Sequence, residues 1–187
     1  MVIQHAEDQE LSKDGMINDG IISTKLGIPG ISDLAEKIII ERDLSLLEET
    51  NCRYHISQIS SRKSLDLINY KKDAVNFTTG VSINNLALNE NDIGEFRTFL
   101  KLSPPLRTEE DRISLIEGIN KNLIDVLVSD HKPEDEESKR LTFSQAATGA
   151  SGIETLLSLA LEQFHNGSIK LEKIIELITH NPAKILK

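Results

Sequence analysis

The sequence predicts an α/β protein built on a parallel sheet. Short β-prone segments alternate with segments of helical spacing, the pattern of successive βαβ units. The last β-prone segment, Ile124–Asp130 ("IDVLVSD"), has the near-continuous apolar character of a strand buried on both faces. The chain has 187 residues, 39% hydrophobic and 27% charged, which is enough for one domain with a real core.

The elements follow in order. Val2-Ile3-Gln4-His5 reads as the first strand. Ile31–Asn51 is a helix with Leu34, Ile38, Ile39, Leu46 and Leu47 on one broad face and Ser32 as its N-cap. Cys52–Ser60 ("CRYHISQIS") is the second strand and Arg62–Asp73 the second helix. Ala74–Ile83 is the third strand. Thr108–Asn122 is a helix opened by Thr108, with acids in its first turn that suit the helix dipole. After the fourth strand, Lys132–Arg140 is the most loop-like stretch. Gly152–Gly167 and Ser168–Leu186 supply two more helices, divided at Asn166-Gly167.

Composition narrows the function. The formal net charge is -9, and no basic stripe is present to neutralise phosphates. Nucleic acid and anionic lipid are therefore not expected partners. No stretch approaches the roughly 20 apolar residues of a membrane helix, and no signal peptide is visible. Cys52 is the only cysteine, so no internal disulfide can form, and a reducing cytoplasm fits.

Four parallel strands could form a small open α/β sheet or part of a (β/α)8 barrel. A whole barrel takes about 250 residues. In either case function belongs at the carboxyl ends of the strands. Those ends carry His5-Ala6-Glu7-Asp8, Gln58-Ile59-Ser60, Asn84-Asn85 and Asp130-His131. His5 and Asp130 are residue types that ligate zinc and related metals. Two residues do not make a site, however. The plain alternative is that His5 and His55 are ordinary histidines and that Asp130 caps the next turn. His165 and His180 lie near helix C-termini, where positive charge is favoured for structural reasons. "SPPLR", Ser103–Arg107, is either a rigid connector or a substrate loop in which Arg107 pairs an anion. No phosphate-binding glycine loop and no nucleophile elbow is present.

Taken in order, "QHAEDQELSKDGMINDGIISTKLGIPGIS", "RYHISQISSRKS", "LSPPLRTEEDRISLIEGI", "IDVLVSDHKP" and "GIETLLSLAL" with "ITHNPAKIL" resemble the second half of the dihydroorotase family, of the amidohydrolase superfamily. The resemblance covers nearly all 187 residues. It implies a single partial domain, residues 1–187, comprising strands five to eight of a TIM-type (β/α)8 barrel with their helices. The N-terminal half-barrel and small β-sandwich of the family are not in this sequence. It also implies a zinc-dependent hydrolase ancestry in pyrimidine biosynthesis. His5 falls on the metal-ligand histidine that ends strand five. Asp130 falls on the strand-eight aspartate, which binds metal and acts as general base. His131 and Pro133 keep the local pattern.

The departures from the family shape the expectation. Gln58 stands where strand six normally presents a ligand histidine, and Ile83-Asn84-Asn85 replaces a proline–histidine stretch. Ser103 takes the place of a substrate-contacting asparagine ahead of Pro-Pro-Leu-Arg. Glu134 takes the place of the second histidine after Asp130. An amide oxygen is a poor substitute for imidazole on zinc, and a carboxylate at Glu134 repels an anionic substrate. No tight zinc site and no turnover by the chain alone are expected. A half-barrel also leaves two open edges and an uncovered, apolar inner face. Such surfaces invite a complementary N-terminal half chain or self-association into a homo-oligomer.

Overall fold

The computed structural model describes residues 1–187. Its main sheet has four strands, β1 (Val2–Gln4), β4 (Tyr54–Ile59), β5 (Phe77–Ser82) and β6 (Val126–Val128), all parallel and in the order β1-β4-β5-β6. Two very short strands, β2 (Ile17–Asn18) and β3 (Gly30–Ile31), pair in parallel beside it, linked by α1 (Ile21–Leu26). These three elements fall in a region the sequence left unassigned.

The larger helices match the expected spans with trimmed ends. They are α2 (Leu34–Thr50), α3 (Arg62–Lys71), α5 (Glu109–Asn120) and α7 (Leu156–His165). A short α4 (Ile83–Ala87) begins at the last residue assigned to the third strand. Thr108 caps α5 as expected, and Asp111 completes a reciprocal capping box. At α2 the N-cap position falls on Asp33 rather than Ser32; the Ser32 hydroxyl accepts from Leu34 N at 3.2 Å. The charged stretch after β6 is not an open loop throughout, because it forms the short helix α6 (Glu136–Lys139) with Lys139 buried. The last expected helix is α8 (Leu171–Ile175) and α9 (Asn181–Ile185), joined by a π-helical turn at Glu176–His180. His180 thus lies mid-helix, whereas His165 does end α7. Cys52 is exposed between α2 and β4. No helix is long and apolar enough to cross a membrane.

The strands step across the sheet in chain order, without the reversal that marks an open doubly wound fold. One sheet face carries Ile56, Ile59, Phe77, Val81 and Leu127. These pack with Ile40 and Leu44 of α2, Ile68 of α3, Leu115 and Ile119 of α5, and Leu177 after α8 into the main core. All the large helices therefore cover a single face, the winding of a barrel wall.

The opposite face overturns one expectation. Its strand register sets Ile3, His55 and Thr78 side by side, then Gly80 beside Val126 and Ser82 beside Val128. His55 Nδ1 and Thr78 Oγ1 lie 2.8 Å apart there. The inner face is mixed, with small and polar residues on β4 and β5, rather than an aliphatic patch.

His55 gives this face a pH signature. Burial holds its pKa below the ordinary 6.5, only partly opposed by Asp125. Between the lowered folded value and 6.5 the unfolded chain binds more protons, so stability is lost as pH falls through that window. A His55→Gln variant should retain a bond to Thr78 and lose less of its urea midpoint between pH 7.5 and 5 than the parent. An equal loss in both proteins would remove His55 as the cause.

Candidate functional site

Four of the residues singled out by sequence converge at the carboxyl ends of the strands. His5 follows β1. Its Nε2 lies 3.1 Å from Ser103 Oγ and 3.3 Å from Glu7 Oε2. The Ser103 hydroxyl donates to Glu7 Oε2 at 3.2 Å. Gln58, on β4, donates from Nε2 to Ser103 O at 3.3 Å and to Asp130 Oδ1 at 3.2 Å. The result is one connected chain of polar groups, Glu7–His5–Ser103–Gln58–Asp130.

A register irregularity places Gln58 there. Ile56 pairs with Thr79 and Ile59 with Val81, so three steps on β4 match two on β5. Without this bulge, strict alternation would send Gln58 to the helix-covered face beside Ile56. The extra residue reverses the parity, seating Ile59 in the core and Gln58 on the inner side. Gly80 makes room: a Cβ at that position would meet Ser57 O at 2.2 Å.

The electrostatics centre on one contact, His5 Nε2 with Glu7 Oε2. Glu7 raises the His5 pKa, and His5 in turn lowers that of Glu7. Burial raises the Asp130 carboxyl, against the opposing bond from Gln58. Asp130 also has a backbone φ of 49°, in the left-handed region that few residues other than glycine adopt. The turn it makes carries His131 away from the cluster, where His131 Nδ1 accepts from Gly152 N at 3.2 Å and Ile153 N at 3.3 Å. His131 therefore anchors the approach to α7.

Arg107 does not join the cluster. It is 3% exposed. Its guanidinium donates to Ser60 Oγ at 3.0 Å, Asn18 Oδ1 at 2.9 Å and the Ile31 carbonyl at 2.6 Å. Glu134 also stays outside, half-buried ahead of α6. Asn84 and Asn85 are buried at the end of β5, and Asn85 donates to the Pro105 carbonyl. The cavity beside His5, Glu7, Glu36 and Arg107 is only about 10 Å³, room for about one water.

Sequence reasoning gave no role to Glu7, although its position two residues after a strand-end histidine was a usable signal. It also passed over two buried lysines. Lys101 Nζ donates to the carbonyls of Phe143, Ser144 and Ala146, and Lys139 Nζ to those of Ala147 and Gly149. Desolvation lowers the pKa of both. Together they fold the 143–149 loop, which returns to pair at Ala150 with His131.

Comparison with known proteins gives this geometry its context. A family model described as dihydro-orotase-like matches residues 1–64. The dihydroorotase of Ehrlichia canis is 42% identical over 189 aligned positions, covering 100% of this chain and 42% of that protein. That of Caldicellulosiruptor saccharolyticus is 40% identical, over 99% of this chain and 44% of its own length. Among solved structures, an L-hydantoinase (dihydropyrimidinase) from Arthrobacter aurescens superposes with a TM-score of 0.82 at 25% identity, over 98% of this chain and 42% of that one. The chain thus spans about two fifths of the length of the relatives it matches. By sequence the chain is similar to dihydroorotases over its whole length, and by fold it has the architecture of a partial (β/α)8 barrel.

Proposed function

We propose that this chain, on its own, is a non-catalytic descendant of a dihydroorotase. The parent reaction is the metal-dependent, reversible opening of the cyclic amide of dihydroorotate by water to give carbamoyl aspartate. It needs a cation with open coordination, a base for the attacking water, and positive groups for the substrate carboxylate.

The donor set does not fit zinc. No three His, Cys, Asp or Glu side chains converge on a point. Gln58 approaches Asp130 with an N–H donor, where zinc would require a lone pair. Asp130 Oδ1 is thereby occupied, and His5 Nε2 faces Glu7 and Ser103. The guanidinium of Arg107 is committed to Ser60, Asn18 and Ile31. The observation that carries the reading is the 3.2 Å contact between the Gln58 amide and Asp130. Purified protein supplied with zinc should hold no stoichiometric metal by elemental analysis and should hydrolyse dihydroorotate no faster than the buffer blank. Bound zinc together with turnover by the chain alone would overturn the proposal.

A second reading, an active enzyme completed by another chain, has one observation in its favour. β1 is an edge strand, and Val2 and Ile3 on it are 49% and 54% exposed. Such an edge is suited to strand addition. Mixing with a chain carrying the remaining segment of the family fold should then restore both zinc and hydrolysis. If mixing leaves both absent, this reading fails.

A further inference from the structure

We infer that Gln58 is a metal-independent tie that fastens the strand ends of this chain together, in place of the shared cation that the parent enzymes use there. The inference rests on the non-catalytic reading and goes beyond it, because it gives the substituted residue a function of its own. Gln58 is 6% exposed, so its amide is removed from water and needs partners. Both of its N–H donors find them, Asp130 Oδ1 and Ser103 O. Those partners come from separate parts of the chain: Asp130 follows β6, and Ser103 opens the Ser103–Arg107 loop. Gln58 itself sits on β4, so the link to Asp130 reaches over the end of β5. Ser103 extends the link through its hydroxyl to His5 and Glu7, beyond β1.

One residue thus connects the two edge strands of the sheet, a middle strand and the proline loop. A glutamine suits this task for a definite chemical reason. Its NH2 group offers two hydrogens to two acceptors, one of them a carboxylate, without adding charge. A histidine at the same place offers one N–H per ring nitrogen, and its ring nitrogens point in divergent directions. The bulge at Ser57–Gln58 and the space left by Gly80 aim the side chain inward.

The test compares thermal unfolding of the parent, Gln58→Met, Asp130→Ala and the double variant, each with and without a chelator. Gln58→Met keeps the side-chain length and removes both donors. It should lower the melting temperature by roughly 5–10 °C, the range for losing two buried hydrogen bonds in a chain of this size. The two single shifts should add to more than the shift of the double variant. Chelator should leave the parent unmoved. A shift under about 1 °C for Gln58→Met, or strictly additive shifts, would overturn the tie. A parent that loses stability in chelator and carries zinc would instead overturn the non-catalytic reading, so the two failures are distinguishable. Should Gln58→Met fail to fold, NMR of the parent decides. Side-chain amide protons of Gln58 that are protected from exchange with solvent support the tie, and protons that exchange as fast as those of a free glutamine refute it.

Discussion

Arg107→Met should destabilise the protein by about 3–5 kcal/mol, the cost of removing one partner from a buried charge network. Arg107 sits between two buried carboxylates that it reaches through bridges. On one side its Nε donates to Ser60 Oγ, whose hydroxyl donates to Glu36 Oε2 at 2.5 Å. On the other, its Nη1 donates to Asn18, whose amide donates to Glu90 Oε2 at 2.6 Å. Glu36 is 3% exposed and Glu90 8%. Methionine would fill the volume yet remove the cation that bridges to both carboxylates through Ser60 and Asn18, and the Ile31 carbonyl would lose its donor. The loss would appear as a melting temperature lower by roughly 10 °C for a domain of this size. Arg107→Lys should fall between, because an ammonium cannot reproduce the guanidinium's fixed fork. A near-parental midpoint for Arg107→Met would return this arginine to the substrate-pairing role.

Gly80→Ala should cost roughly 2–4 kcal/mol, a large effect for one methyl group. The added Cβ would lie 2.2 Å from Ser57 O and 3.2 Å from Ser57 C. Both are backbone atoms of the neighbouring strand, so no side chain can swing aside. The bulge must flatten or the strands must part. Since the bulge sets which way Gln58 points, the amide's bond to Asp130 should go with it. Urea unfolding reads the loss directly, and combining Gly80→Ala with Gln58→Met should cost less than the two separately. An unchanged midpoint would show that the bulge is soft and does not govern the position of Gln58.

These two cases mark where the sequence was legible. β-Prone composition and 3.6-residue spacing located every strand of the main sheet and every long helix, because both reflect which side chains the fold buries. The Thr108 cap was visible because capping is local chemistry. The last helix was readable as one piece despite Pro182, although the π turn at Glu176–His180 that precedes the proline was not. Ile17–Asn18 and Gly30–Ile31 are too short to show any period.

Within the site, His5 and Asp130 were found because they end strands. Gln58 was found because it interrupts a familiar pattern. The orientation of Gln58 depends on a register shift that no local pattern encodes. Arg107, read as part of either a rigid connector or a substrate loop, could not be placed for a related reason: its partners Asn18 and Ile31 are far away in the chain. Lys101 and Lys139 were invisible because composition treats a lysine as solvated until tertiary structure closes over it.

The mixed lining opposite the helices has a colloidal consequence. A concave wall of leucine and isoleucine would drive copies of the chain to clump whenever that side met solvent. Here His55 and Thr78 place polar groups on that side, the buried Ser82 hydroxyl caps α4, and Gly80 presents almost no hydrocarbon. On this side of the sheet, the greasy contribution is confined to Ile3 at one rim and the β6 valines at the other.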